Sequence, residues 1–157
     1  MNIGKRLCKI SWFKLIEALI MLVFSCLLIR CFPFRWWSGW LGTRSQGEVT
    51  AIDPVRDHRV GDVARTLNAI NRRCGGRFTC LMLAMAAHWM LGRRGISSSL
   101  VLGTRTEIAD DQSLVMHAHA WLRVGPRVVL GAHDGSYVAV SSFVRGHPST
   151  AERTKLP

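Results

Sequence analysis

The hydrophobic pattern of the chain predicts an α+β fold in which helices come first and an antiparallel sheet follows. Apolar residues recur every three or four positions over residues 60–73, and a nearly continuous apolar segment covers residues 80–91. Beyond Gly95, apolar and polar residues alternate instead. This change of period marks the change from helices to strands, and helices followed by several strands are typical of α+β domains.

Two helices are predicted in the centre of the chain. The first covers residues 60–73 and ends at the glycines of Cys74-Gly75-Gly76. The second begins after Thr79, a residue type that favours helix N-termini, and Gly95 ends it. Because the second helix has almost no polar face, we expect it to pack on more than one side.

Alternating residues predict the strands that form the sheet. Gly125-Pro126 lies between two of them and predicts a hairpin there. The predicted strands cover residues 99–105, 114–124, 127–130 and 137–143.

The N-terminal segment is apolar over residues 10–29 but contains Lys14 and Glu17. Its uninterrupted part, residues 18–29, is shorter than the roughly 20 residues that cross a bilayer. We favour a buried helix with both charges on its solvent side. The alternative is a helix lying on a membrane, which basic flanking residues and a cluster of tryptophans support. The predicted division is an apolar helical arm (1–42), a connector (43–59) and a catalytic domain (60–157).

Composition limits the classes of protein that this chain can represent. It has 157 residues, of which 48% are apolar, so it suits one globular domain rather than a disordered tail or a repeat. The net charge of +11 suits anionic partners. Five cysteines without a CxxC pair favour a reduced, cytoplasmic protein, with membrane association through the arm as an addition. The arginines are not interleaved with aromatic residues, so we expect no nucleic-acid partner.

Cys80 is the strongest candidate for a nucleophile. It lies in the first turn of the central predicted helix, where free backbone N–H groups and the helix dipole favour a thiolate. The same N–H groups are suited to hold an oxyanion during acyl transfer. A buried, inert cysteine is the alternative for any single cysteine.

His119 and Asp134 complete a candidate triad with Cys80. His117 and His119 lie on one face of a predicted strand, and we assign His119 as the general base. Only Asp134 and Glu152 carry carboxylates after His119. In the order Cys, His, Asp, the orienting carboxylate is therefore Asp134, whose alternative role is that of a turn residue.

Cofactors are not expected from the sequence. A zinc site built from cysteines and histidines such as Cys74, Cys80 and His133 is a weaker alternative, because no tight paired-ligand spacing is present. Neither a phosphate-binding loop nor a dinucleotide-binding glycine motif occurs.

Four short motifs occur between residues 60 and 143: Cys80-Leu81 running into Ala84, Leu91-Gly-Arg-Arg-Gly95, Leu100-Val-Leu-Gly103 and Ala118-His-Ala-Trp121. Together they resemble the transglutaminase-like leader peptidases of lasso-peptide biosynthesis. The end of the arm, around Pro33-Phe34-Arg35 and Leu41-Gly42, is also similar to that family.

This resemblance implies a papain/transglutaminase-like cysteine peptidase that removes the leader from a ribosomally made precursor. It implies Cys80 as nucleophile and His119 as base. The family's acid often comes earlier than Asp134, at the position of Leu130-Gly131. Implied partners are the precursor's leader region, an ATP-dependent lasso cyclase and a separate leader-binding protein, since residues 1–42 resemble no leader-binding module. The alternatives are a catalytically idle scaffold at a membrane surface and a Cys–His–His amidase that uses His133.

Overall fold

The computed structural model describes residues 12–47, 58–109 and 112–145. Its helices are α1 (Trp12–Cys31), α2 (Phe34–Trp37), α3 (His58–Arg73) and α4 (Cys80–Gly92), and a 3₁₀ turn, Ser38–Leu41, follows α2. Its strands are β1 (Thr43–Gln46), β2 (Ser98–Ile108), β3 (Leu114–Val124), β4 (Arg127–Leu130) and β5 (Val138–Arg145).

The strands form one antiparallel sheet in the order β1-β5-β2-β3-β4. The α+β class predicted from the sequence is therefore confirmed. Both strands of the predicted hairpin have the predicted bounds, and they pair across Gly125-Pro126. The longest pairing joins β2 to β3 without a bulge, and it places Gly103 opposite His119.

The helix α4 is the centre of the core, as its uniformly apolar sequence predicts. It packs against β2 and β3 on one side and against α1 and α3 on the other. Every residue from Ala84 to Leu91 is buried. Gly95, in the left-handed region at φ 69°, ends the helical segment, and the N–H of Ile96 donates to the carbonyl of Leu91.

Residues 43–46 differ from the predicted connector because they form the edge strand β1, which pairs with β5. The segment Thr-Arg-Ser-Gln is polar and mostly exposed, so hydrophobic periodicity carries no signal for it. Residues 48–57 of the predicted connector lie outside the described residues, as do residues 10 and 11 of the predicted apolar helix.

Glu17 and Lys14 of α1 pair with charged residues of the neighbouring helical segments. Glu17 pairs with Arg94 at the end of α4, and the side chains are only 12% and 19% exposed. Lys14 donates to Asp62 of α3 at 3.0 Å. The prediction of a buried helix with both charges on its solvent side is therefore wrong. The facing helices supply the opposite charges, so the charged residues turn inward.

The opposite face of α1 is apolar and exposed, with buried residues confined to Ala18, Leu22, Ser25 and Leu28. Within the described residues, α1 is the one helix long and apolar enough to cross a membrane. Core helices and signal sequences meet the same criterion.

A buried histidine connects three parts of the fold. His88 of α4 is fully buried. Its Nε2–H donates to the carbonyl of Leu41 at 2.6 Å, and its Nδ1 lies 2.8 Å from the hydroxyl of Ser98. Because a carbonyl can only accept, Nδ1 is the unprotonated nitrogen of a neutral ring and accepts from Ser98. Burial lowers the pKa of His88 to about 4, against an ordinary value of 6.5.

The neutral state of His88 predicts a loss of stability in acid. Below pH 6.5 the unfolded chain binds a proton that the folded ring binds only near pH 4. The free energy of unfolding should therefore fall by on the order of 3 kcal/mol as the pH falls through this window. His88→Gln should remove this part of the slope in urea unfolding at several pH values, whereas His117→Gln should retain it. An unchanged slope in His88→Gln would contradict the assignment.

Candidate active site

Cys80 occupies the first helical position of α4, as the sequence predicts. Thr79 has the extended backbone of an N-cap, and its hydroxyl accepts from the N–H of Met82. The N–H groups of Cys80 and Leu81 belong to the first turn, where no intrahelical acceptor exists. These two donors, together with the positive end of the helix dipole, suit the binding of a thiolate or an oxyanion.

Cys80 and His119 line the same cavity, which has a volume of about 350 Å³. The cavity lies between the start of α4 and the strands β2, β3 and β5, and Phe34 of α2 adds to its wall. Its lining is mainly apolar, with Arg44 bonded to Ser141 on one side. The fold thus brings the predicted nucleophile and the predicted base to one concave site of the kind that holds ligands.

The ring of His119 is oriented by a main-chain carbonyl. Its Nε2 lies 2.9 Å from the oxygen of Gly131, which can only accept, so Nε2 carries the proton. The other nitrogen, Nδ1, is therefore unprotonated in the neutral ring and is able to take a proton. This is the tautomer that a general base requires.

Gly131 is suited to this role because it has no side chain. Its φ is +72°, and a Cβ at this position would lie 2.5 Å from the carbonyl oxygen of Ala120. A side chain would force β4 and β3 apart and move the carbonyl away from His119. The glycine is therefore needed for the geometry of the hydrogen bond.

Aromatic rings fix the other sides of the imidazole. Tyr137 lies 4.9 Å from His119 between ring centroids, Trp121 stacks at 6.1 Å, and His133 contacts it edge-on at 5.8 Å. The guanidinium of Arg105 lies over Tyr137. This packing limits the rotation of His119, so its orientation does not depend on one hydrogen bond alone.

Asp134 is placed differently from the position expected of an orienting carboxylate. It is exposed, and it accepts hydrogen bonds from the hydroxyl and the N–H of Ser136. The hydroxyl and then the N–H hold the pKa of Asp134 below its ordinary value. Within the described residues no hydrogen bond joins Asp134 to His119. Its role as the third member of a triad stays a prediction that requires Asp134 to leave Ser136.

The remaining candidate residues have other partners. His117 shares a strand face with His119 but pairs with Glu107 at 3.3 Å. Nδ1 of His133 accepts from the N–H of Gly135, so His133 contacts His119 through its ring rather than through a hydrogen bond. Across the part of the chain that the structure describes, no three His, Cys, Asp or Glu side chains are grouped so as to hold a metal ion.

Sequence reasoning missed Gly131 and Tyr137 as parts of the site. A main-chain acceptor has no residue-type signal, since almost every residue carries the same carbonyl. The usable signal was that Leu130-Gly131 falls where the resembled family places its acid. The contact of Tyr137 with His119 depends on the approach of the chain before β5 to β3, which no local pattern specifies.

A buried helix that begins with a cysteine, packed on an antiparallel sheet that supplies a histidine, defines the papain/transglutaminase-like class of fold. The chain belongs to the transglutaminase-like superfamily, whose family profile matches residues 28–142. This superfamily includes cysteine peptidases and transglutaminases. Comparisons with curated proteins and with solved structures gave no match.

Alkylation of the cysteines tests whether the site activates Cys80. Cys74 is exposed and Cys80 is only half-buried, so accessibility alone favours Cys74. We expect iodoacetamide to label Cys80 about tenfold faster at neutral pH, because the helix N-terminus and the shared cavity with His119 favour attack by its sulfur. Peptide mass spectrometry over time measures both rates.

The variant His119→Ala should slow the labelling of Cys80 and leave that of Cys74 unchanged. Rates that simply follow exposure, with Cys74 faster than Cys80, would show that the site does not activate its thiol.

Proposed function

We propose that this protein is a cysteine peptidase that removes the leader peptide from a lasso-peptide precursor. The observation that carries the proposal is the cavity that Cys80 and His119 share. Cys80 lies there at a helix N-terminus, and the hydrogen bond of Nε2 to Gly131 leaves Nδ1 of His119 unprotonated in the neutral ring. Membership of the transglutaminase-like superfamily supports acyl transfer through a thiol. The choice of a lasso precursor rests on the sequence motifs around Cys80 and His119.

Acylation begins when Nδ1 of His119 accepts the proton of the Cys80 thiol. The sulfur attacks the carbonyl carbon of the scissile peptide bond, and the oxygen gains negative charge. The N–H groups of Cys80 and Leu81 stabilise that oxyanion. His119 then donates its new proton to the leaving amine, which is the N-terminus of the core peptide, and the leader remains as a thioester on Cys80.

Deacylation uses the same residues: His119 again accepts a proton, this time from water, and then donates it to the departing thiolate of Cys80. Nδ1 of His119 removes a proton from water, and the resulting hydroxide attacks the thioester carbonyl. Collapse of the second tetrahedral intermediate releases the leader with a free carboxylate and returns the thiol of Cys80. The carbonyl of Gly131 stabilises the imidazolium form of His119 during both steps, because Nε2 remains a donor throughout.

The cavity beside Cys80 suits the side chain of a substrate residue near the scissile bond. Leu81, Leu102 and Ala120 contribute apolar walls, and Thr104 and Ser141 contribute hydroxyl groups. Such a lining accepts a side chain of small or medium size with a limited polar group.

The first test is cleavage of a lasso precursor by purified protein. Cys80→Ala should reduce the rate by several orders of magnitude, because the nucleophile is lost. Cys74→Ala is the matched control, since it removes a nearby exposed cysteine and should retain most of the activity. Chromatography and mass spectrometry of the released leader measure the rates. Full processing by Cys80→Ala would refute the peptidase assignment.

Variants of the histidines and of Asp134 separate the candidate triads. His119→Ala should lose activity by several orders of magnitude. Asp134→Ala should be nearly as active as the parent protein if Gly131 orients His119, and strongly impaired if Asp134 does. A larger loss in His133→Ala than in Asp134→Ala would instead support the Cys–His–His amidase.

A catalytically idle scaffold is the second candidate. The observation that favours it is the replacement of an orienting carboxylate by the carbonyl of Gly131, with Asp134 turned toward Ser136. An idle protein would not cleave a lasso precursor, and iodoacetamide would label its Cys80 no faster than Cys74.

We also propose that a separate leader-binding protein delivers the precursor and that an ATP-dependent cyclase uses the product. A delivery protein raises the local concentration of the leader at Cys80. Adding it to the cleavage assay should increase the rate of cleavage mainly by raising the apparent affinity for the precursor. KM should therefore fall by a larger factor than kcat rises. Equal rates with and without it would show that this chain binds the leader by itself.

A further inference from the structure

The outward face of α1 carries a continuous apolar stripe. Its residues recur every three or four positions, so they line one side of the helix from the first turn to Leu27. Together with two tryptophans beyond α1, they form what we call the arm face. The arm face comprises Trp12, Phe13, Ile16, Leu19, Ile20, Val23, Phe24, Leu27, Trp36 and Trp40, all exposed. Contiguous exposed apolar surfaces of this kind mark sites of interaction.

The inward face of α1 fixes how the arm face is presented. Ala18, Leu22 and Leu28 are buried against the protein, and Glu17 is paired with Arg94. The helix is therefore held flat along α3 and α4 over its length of about 30 Å. A perpendicular, membrane-crossing orientation would carry the packed ion pairs of α1 into the hydrocarbon, which is strongly unfavourable.

Positive charges lie at the border of the arm face. Arg93 lines one cavity with Phe13, Ile16 and Ile20, and it lines a second cavity of about 430 Å³ with Phe24 and Trp40. Arg145 lines the second cavity as well. Arg30 is exposed in the last turn of α1 and continues the stripe by one helical turn beyond Leu27.

We propose that the arm face binds the surface of a bilayer that contains anionic phospholipids. The apolar side chains of α1 enter the boundary between headgroups and acyl chains, while Arg93 and Arg145 contact lipid phosphates. Trp12 lies at the start of the face and Trp40 lies beside Phe24. Tryptophan is enriched at the boundary between headgroups and acyl chains. Flat apolar helices with cationic borders bind anionic membranes in this way.

Charge complementarity favours a membrane over a second copy of this chain. The net charge is +11, so two copies that face each other through the arm would bring like charges together. A lipid surface supplies many negative groups in one plane, which matches a flat helix with arginines beside it.

Flotation of the full-length protein with vesicles tests the proposal. We expect strong binding to an equimolar mixture of phosphatidylcholine and phosphatidylglycerol, and weaker binding to phosphatidylcholine alone. Ile20→Glu should weaken binding by about tenfold or more, because it places a charge among the apolar side chains that enter the bilayer. Ile108→Glu is the matched control, since Ile108 is similarly exposed but lies on the hairpin of β2 and β3.

The charged border has a test of its own. Arg93→Gln and Arg145→Gln should each weaken binding to the anionic vesicles about fivefold, with little effect on phosphatidylcholine. Arg127→Gln removes an exposed arginine of β4 and should change neither. Phe13→Glu repeats the apolar test at a second position if circular dichroism shows that Ile20→Glu does not fold.

Three results would overturn the proposal. The first is a failure of the flotation test, in which the variants Ile20→Glu and Phe13→Glu float with anionic vesicles to the same extent as the parent protein, whether or not the parent protein binds. The second is a parent protein that forms a dimer but does not bind vesicles, together with an Ile20→Glu variant that is monomeric. That result would assign the arm face to a second copy of the chain. The third is resistance of the membrane-bound protein to alkaline carbonate, which would show that α1 crosses the bilayer. None of these measurements depends on peptidase activity.

Discussion

The position of Cys80 depends on how α4 is held, and the hydrogen bonds of the buried His88 ring are the most specific of the interactions that hold this helix. Apolar packing buries α4 but does not by itself fix its rotation or its slide along the sheet. Two short hydrogen bonds tie His88 to Leu41 at the end of the arm and to Ser98 at the start of β2. Because both partners are buried polar groups, any other position of α4 would leave them unsatisfied. Cys80 lies two turns before His88 on the same helix, so these hydrogen bonds also position the candidate nucleophile.

The main elements of the fold could be predicted because each has its own period. The bounds of β3 and β4 follow from alternation and from Gly125-Pro126, and the start of α4 follows from Thr79. The charges of α1 could not be placed, since the helix is apolar around most of its circumference and periodicity does not select an inner face. Asp62 and Arg94 pair with Lys14 and Glu17 and so determine which side of α1 faces the protein. Both residues are distant from α1 in the sequence. The strand β1 was missed for a related reason, because its pairing with β5 is purely a tertiary contact.

In the candidate site, the sequence predicted the side chains that carry chemistry but not the main-chain group that orients one of them. Cys80 and His119 can be recognised from their residue types as a candidate nucleophile and a candidate base, and the structure brings them to one cavity. The group that orients His119 is a carbonyl, and its availability depends on the positive φ of Gly131 and on the close approach of β4 to Ala120. Exclusion among the carboxylates led to Asp134, because that reasoning considered only side chains. A neutral acceptor stabilises an imidazolium less than a carboxylate does, so a site built in this way gives up part of the electrostatic support of a complete triad.

The helix α1 packs on the rest of the described protein. The family match already begins at residue 28, within α1, and the inner face of α1 covers α3 and α4. The residues that follow α1 serve both surfaces of the molecule. Phe34 lines the cavity of Cys80 and packs against Phe143 of the core, whereas Trp40 lies on the outward side beside Arg93 and Arg145. The short segment between them also contains Leu41, the partner of His88. Residues 34–41 therefore contact both the wall of the cavity and the helix that carries Cys80. The arm face and the surroundings of Cys80 thus share the same short segment, so a displacement of residues 34–41 would alter both.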